Sequence, residues 1–280
     1  MAAERREDDL EEGRMPFLEH LVELRSRLRN AAIAFFIAFI ACWFYSEQIY
    51  DWLREPLNVA WRDHADVLGK TPNVAFLSPT EPVWVYLSIA MWAGIFVSSP
   101  IIFHQIWKFI APGLYKNERR IGIAFAVCSA VFFVIGGLFC YYFVLDRLYD
   151  YVLGLAGPDV KPTISMREYL DLSRDMMLAF GAIFELPLLI YFLALVGMVT
   201  HRSLWKFNRW FVIVAFIVGA VLTPSTDVAS QVMMALPMIV LYNLSILIAY
   251  VVTTRRERRG GGAPPPPEDE EPPAGAPAAG

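Results

Sequence analysis

The sequence predicts an all-α, polytopic membrane protein with six transmembrane helices, and three observations carry that prediction. Hydrophobic residues make up 56% of the 280 and charged residues only 19%. The apolar residues come in long unbroken blocks, and a block that excludes water must satisfy its backbone groups internally, as helices or as a closed barrel. Barrel strands would show segments of roughly ten residues with alternating polarity, and none is visible. Finally, 17 of the 24 Lys and Arg residues fall in the tails and loops of one side. By the positive-inside bias that side is cytoplasmic and holds both termini.

The two ends of the chain differ from the blocks. Residues 1–15, with MAAERREDDLEEGR, and residues 253–280, basic at first and then PPPPEDEEPPAGAPAAG, combine low hydrophobicity with charge and are expected to be disordered cytoplasmic tails. They supply most of the formal net charge of -4. Arg5 and Arg6 have no apolar stretch behind them and do not form an export signal. Residues 16–252 make up the membrane domain.

In residues 16–28, PFLEHLVELRSRL, Leu18, Leu21, Leu24 and Leu28 recur at helical spacing and set Glu23 and Arg27 four apart on the polar face, where they can pair. By itself this is an amphipathic helix with a solvated charged face, anchored by Arg25, Arg27 and Arg29, that leads into the first span. Residues 46–80 form a loop on the far side. Ile49, Trp52, Leu53 and Leu57 give it an amphipathic segment expected to lie along the interface, and Pro56, Pro79 and Pro82 punctuate it. Residues 83–106 carry no Asp, Glu, Lys or Arg and can cross a hydrocarbon core of about 30 Å, with Pro100 expected to kink the helix near its cytoplasmic end.

The connector FHQIWKFIAPGLYKNERR, residues 103–120, overlaps the end of this block and leads to a second charge-free block, residues 121–145. Trp107 and Tyr115 suit the headgroup level, and Lys108, Lys116, Arg119 and Arg120 the cytoplasmic side. Glu118 is the one acid among these cations. After a second outer loop, Ser165 and Glu168 have the spacing of a capping box. A helix from there to Val199, roughly 34 residues and about 50 Å long, would project well beyond the bilayer. Within its apolar part lie Glu185 and Pro187. An acid at membrane depth is costly and usually faces a cavity or a partner; the alternative is a neutral acid bonded to a backbone carbonyl that Pro187 leaves free. A basic loop, residues 200–209, precedes a run of residues 210–222 that is short for a bilayer. The last span, residues 228–252, holds Gln231, Pro237 and Asn243. Helix-to-helix hydrogen bonding accounts for Asn243 and is as plausible as a functional role for Gln231.

Several chemistries are excluded. His20, His64, His104 and His201 sit at span ends or in loops, so no pair of axial haem ligands lies at membrane depth. Metal-ligand spacing, a phosphate-cradling glycine loop and a nucleophile with its base are all missing, so no cofactor, metal or enzymatic activity is implied. Cys128 and Cys140, twelve residues apart on one helix, stand about 18 Å from each other, too far to bridge. Nothing points to nucleic acid. Glu23 and Glu118, at the cytoplasmic surface, suit recognition of guanidinium groups, which carboxylates bind in a fork.

The motifs HLVELRSRL at residues 20–28, SSPIIFHQIWKFIAPGLYKNERR at 98–120, FELP at 184–187, and LTP followed by Asp227 and Gln231 resemble, in order, those of the TatC family, the signal-peptide receptor subunit of the twin-arginine protein translocase. The resemblance covers roughly residues 16–252. It implies a concave, glove-like bundle with two short final helices in the bacterial cytoplasmic (inner) membrane. It also implies export of folded proteins together with single-span TatA-like and TatB-like partners, and self-association in a receptor complex. For the site it implies that Glu23, Arg25, Phe109, Leu114, Glu118 and Arg119 bind twin-arginine signal peptides and that Glu185, Gln231 and Asp227 meet partner helices. Pro56, Pro100, Trp107, Pro112 and Pro187 are implied as structural positions. The turn at residues 224–227, Pro-Ser-Thr-Asp, is one residue longer than the family's common Pro-Pro-Asp form. The competing expectation is a proton-coupled secondary transporter that uses Glu185, although no internal repeat supports it.

Overall fold

The computed structural model describes residues 2–69, 72, 74–110, 119–156, 162–222 and 228–258. They form eleven α-helices: α1 (Ala2–Phe44), α2 (Ser46–Leu53), α3 (Glu55–Asp63), α4 (Ala65–Leu68), α5 (Glu81–Ile110), α6 (Arg119–Phe139), α7 (Asp146–Gly154), α8 (Met166–Phe184), α9 (Leu186–Val196), α10 (His201–Leu222) and α11 (Val228–Arg258). A π-helical turn, Cys140–Leu145, joins α6 to α7, and two short parallel strands, β1 (Val74–Ala75) and β2 (Ile164–Ser165), pair with each other. Six stretches are long and apolar enough to cross a membrane: Leu21–Phe44, Glu81–Ile110, Gly122–Gly154, Met166–Val196, His201–Leu222 and Val228–Thr254.

Three expectations are corrected. Residues 200–209 are not a loop: from His201 onward they are the first turns of α10, which reaches 22 residues, about 33 Å. The last span is longer still, since α11 has 31 residues, so neither final helix is short. The fourth span is not one rod either. It breaks at Glu185 between α8 and α9, because Pro187 cannot donate to the preceding turn and its ring crowds that turn. At its far end α9 stops in a left-handed Gly197 (φ 90°), with Met198 N–H returning to the Leu193 carbonyl at 2.9 Å. Helix α1 also extends back from the first span into the acidic segment, and α11 continues past residue 252 to Arg258.

Helix α1 packs along α5, α5 along α6, and α6 along α8, while α9, α10 and α11 form a second group. Lipid is as apolar as leucine, so close approach of small residues holds such helices together better than burial alone. Gly136 of α6 and Gly181 of α8 bring those two helices into such an approach. A Cβ on Gly136 would stand 2.6 Å from the Phe180 carbonyl oxygen, and one on Gly181 would stand 2.8 Å from the Phe133 ring.

The largest buried cluster is centred at the loop end of the bundle, where α2, α3, the π-helical turn, α7, the first half of α5 and α8 meet. The first loop therefore docks on protein instead of lying along the interface as an isolated amphipathic helix: Leu53 and Leu57 are both 0% exposed. Trp52 stacks on Tyr141 with ring centroids 4.0 Å apart. Pro56, buried in the first turn of α3, has no N–H to offer the Trp52 carbonyl four residues back. The Tyr141 hydroxyl donates to that carbonyl instead, at 2.6 Å, and the Tyr169 hydroxyl donates to the neighbouring Leu53 carbonyl.

Glu81 ties the two loops of this end together. Its Oε2 accepts the Leu77 N–H at 2.6 Å and the Ser78 N–H at 3.3 Å, and its Oε1 accepts the Arg167 N–H at 2.9 Å and the Ser165 hydroxyl at 3.0 Å. Ser165 caps α8 by accepting the Glu168 N–H at 3.4 Å, as its spacing predicts, and its own proton goes to Glu81. The carboxylate thus serves the start of α5 and the start of α8 at once.

Replacing Gly136 with alanine is expected to destabilise the protein by about 1–3 kcal/mol, read as a lower melting temperature in detergent; an unchanged value would show that α6 and α8 can part without cost. Glu81→Ala is expected to lower the melting temperature more than Glu81→Gln, which keeps one acceptor oxygen for the four donors.

Candidate functional site

Two clusters of sequence-predicted residues occupy different depths of the bundle. The first lies at the end of α5 and the part of α1 level with it. These consecutive spans run antiparallel, and Phe39 of α1 abuts Gly94 of α5, where an added Cβ would stand 3.1 Å from the Phe39 backbone. Counting equal numbers of residues from that crossing sets Glu23 level with Ile110, the last residue of α5. Glu23 is half-buried and its carboxylate accepts from Arg27 Nη2 at 2.7 Å, the i, i+4 pair expected from the sequence. Arg25 is exposed, and Phe109 sits half-buried in the last turn of α5. Pro112, Leu114 and Glu118 lie outside the described residues, and Arg119 is described only as the first residue of α6.

Pro100 lies inside α5, which runs unbroken from Glu81 to Ile110. Its missing N–H would strand the Phe96 carbonyl, but the Ser99 hydroxyl donates to that oxygen at 2.7 Å, and Ser98 donates to the Gly94 carbonyl at 2.6 Å. The two serines thereby preserve the helix through the proline.

The second cluster surrounds Glu185. It is half-buried at the junction of α8 and α9, and its Oε1 is buried with no hydrogen-bond partner. Ser129 of α6 lies near the same carboxyl, and Ser129 Oγ accepts the Trp107 indole N–H at 2.8 Å. Trp107 is buried, wedged between Phe125 and Phe192 with ring centroids 4.8 Å away in each case. Pro187 is buried in the first turn of α9. Gln231 lies in the first turn of α11, where Gly219 of α10 approaches its carbonyl, and Asp227 lies outside the described residues. Asn243 bridges helices as expected, accepting from Asn208 at 3.4 Å while donating to its own Ile239 carbonyl at 2.8 Å.

Sequence reasoning missed Ser129, Glu81 and Arg174. Arg174 of α8 bonds Asp171 at 2.7 Å, Asp175 at 2.7 Å and Ser88 of α5 at 2.9 Å. The fourth span has 31 residues, about 46 Å, so its first ten or so residues exceed a hydrocarbon core of about 30 Å. Arg174 falls near that boundary and Glu185 well inside it. Charge among the first residues of a capped helix marked the former, whereas nothing in the local sequence marks a lone serine such as Ser129.

Comparison with known proteins agrees with this architecture. A family model described as Sec-independent protein translocase protein (TatC) matches residues 19–237. A protein of that name from Koribacter versatilis is 40% identical over 239 residues, covering 85% of this chain and 86% of its own length. Its Aquifex aeolicus counterpart is 36% identical over 236 residues, covering 83% and 93%. A solved structure, a crystal structure of the twin arginine translocase receptor TatC, superposes with a TM-score of 0.74 at 33% identity, covering 84% of this chain and 99% of that one. The chain, a multi-pass membrane protein by its six apolar helices, belongs to the TatC family of Sec-independent protein translocase proteins.

Proposed function

We propose that this chain is the receptor component of a twin-arginine translocase in the bacterial cytoplasmic membrane, a transport component and not an enzyme. Both termini and the connector face the cytoplasm, where 17 of the 24 Lys and Arg residues gather. The paired arginines of an export signal dock on Glu23 and Glu118, beside Arg25, Phe109, Leu114 and Arg119. The apolar part of the signal enters the membrane past Glu185. There, with Gln231 and Asp227, the chain meets TatA-like and TatB-like single-span helices, and copies of the chain associate in a receptor complex.

The observation that carries this proposal is the state of Glu23. Its carboxylate is half-buried, level with the end of α5, and already holds a guanidinium, that of Arg27 at 2.7 Å. A carboxylate that binds an arginine of its own helix is shaped to exchange it for an arginine of a ligand, and the fork geometry discriminates against lysine. An i, i+4 pair of this kind stabilises by only about 0.3–0.5 kcal/mol, so the exchange is easily driven. Membership of the TatC family and the 33% identity to a solved twin arginine translocase receptor support the assignment of the ligand.

Binding of the purified protein to a peptide with an Arg-Arg export signal should weaken about tenfold, or about 1.4 kcal/mol, for the Lys-Lys version, and should weaken again in Glu118→Gln. It should also weaken with added salt, since exposed charges are screened over about 10 Å at 0.1 M. Equal affinity for both peptides with a flat salt response would sink the receptor assignment. Arg27→Gln removes the internal competitor and is expected to tighten peptide binding about twofold, matching the small energy of the pair. Crosslinking to single-span partners should survive Glu185→Gln better than Glu185→Ala.

A further inference from the structure

We propose that the outward face of α10 binds the headgroup of an anionic phospholipid through Arg202, Lys206 and Arg209. The inference needs only the span and its packing, and neither the receptor function proposed above nor the orientation of the chain.

The three cations recur at i, i+4 and i+7, so at 3.6 residues per turn they fall within about 60° of one another around the helix. All three are exposed. The buried residues of α10, Phe211, Ala215 and Gly219, mark the opposite side. There Phe211 stacks on Tyr242 of α11 with ring centroids 3.9 Å apart, and a Cβ on Gly219 would stand 3.2 Å from the Gln231 carbonyl oxygen. The cation face is therefore turned away from the protein. Its helix start is already served, since Thr200 Oγ1 accepts the Ser203 N–H at 3.3 Å, so the site is made of side chains.

The neighbouring helices offer almost no counter-charge. Residues 186–222 and 228–256 contain no Asp or Glu. Among the described residues none of the three cations forms an ion pair. Helix α11 runs antiparallel to α10: His201 Nδ1 meets Thr253 Oγ1 at 3.0 Å, and the Tyr242 hydroxyl donates to the Leu204 carbonyl at 3.0 Å. It thus brings Arg255, Arg256 and Arg258 to the same end, against the single acid Glu257.

Depth and shape identify the missing anion as a lipid. Measured back from Leu222, a hydrocarbon core of about 30 Å takes up about 20 residues and ends near Ser203. Lys206 and Arg209 thus leave the backbone below that edge, where an unpaired charge is costly. Side chains on a helix lean toward its N-terminus, which here is the nearer surface, so both carry their charge up to headgroup level. Trp205 and Trp210, 65% and 54% exposed, flank the cations with indole donors, and the Arg209 guanidinium lies 5.7 Å from the centre of the Trp210 ring. Deeper in the span Ile213, Phe216 and Ile217 continue the exposed face. The small Ala215 and Gly219, which would admit a partner helix closely, are turned inward. Cations above a bulky apolar strip match a phosphate ester above its acyl chains.

The test uses the full chain in phosphatidylcholine nanodiscs that carry a minor fraction of chain-brominated phosphatidylglycerol, or the same fraction of chain-brominated phosphatidylcholine. The fluorescence of Trp205 and Trp210, taken by difference against the Trp205→Phe, Trp210→Phe double variant, reports which lipid sits on the face. Brominated phosphatidylglycerol is expected to quench more strongly. Lys206→Gln is expected to cut that preference about fivefold, and Arg202→Gln, Lys206→Gln and Arg209→Gln together to abolish it. Lys206→Gln combined with Phe207→Lys keeps the net charge but moves it off the face, and is expected to behave as Lys206→Gln alone. Arg202→Lys with Arg209→Lys is expected to keep the preference. Equal quenching by the two lipids in the unmodified protein overturns the site, as does no quenching by either, which would mean that another chain covers the face. A preference restored by Phe207→Lys, or lost in the charge-keeping pair, also overturns it. Inorganic phosphate at the concentration of the lipid is expected to leave the preference intact; loss of the preference would assign the cations to a free anion instead.

Discussion

The need to give every backbone carbonyl and carboxylate a donor where water is excluded shapes this molecule more than any single packing contact. Prolines sharpen that need, because each removes the N–H that would have served the carbonyl four residues back. At Pro100 the neighbouring Ser99 hydroxyl bonds the Phe96 carbonyl, and α5 continues as one helix through the proline. At Pro56 the donor comes from far away in sequence: the Tyr141 hydroxyl reaches the Trp52 carbonyl and in doing so fastens the first loop to the third span. The π-helical turn at Cys140–Leu145 contains Tyr141, and the wider turn alters the facing of residues there compared with a regular helix. One local deficit thus becomes one long-range tie.

The two ends of the bundle solve the same problem differently. At the loop end, a carboxylate collects four donors from two loops, and a large apolar cluster closes around it. Glu81, with both its oxygens satisfied, is a fixed point. At the connector end the apolar cluster is small, built around Trp107, Phe125 and Ala126, and Glu185 keeps one oxygen without a partner.

The six spans were legible because length and charge exclusion are properties of contiguous sequence. The pairing of Glu23 with Arg27 and the capping by Ser165 were legible for the same reason, since both partners lie within one turn. The errors came where a polar residue was taken to mean a loop. Residues 201–209 carry Arg202, Lys206 and Arg209, yet they form the first turns of α10, because straight-chain cations are good helix formers and can face the membrane surface. The break at Glu185 was hidden by the apolar residues around it, although Pro187 signalled its position. Glu81, Tyr141 and Ser129 were illegible in the local sequence: their partners are 84, 89 and 22 residues away, and only the fold brings them together.

Glu185 shows why an acid is retained at this depth in preference to a serine or an asparagine. A carboxyl group has two oxygens that can be served separately. One can be held by the protein's own donor while the other is kept for a partner, and the first contact orients the second. Pro187 sets the backbone at the break, and Glu185 Oε1 is left with an unmet demand that lipid cannot satisfy. A partner helix that brings a hydroxyl, amide or indole to that level gains a bond that no lipid chain competes for. A purely apolar helix gains only packing. On the function proposed above, the same carboxyl would select among single-span helices that are otherwise alike in length and hydrophobicity, with specificity arising from one oxygen in an apolar surface.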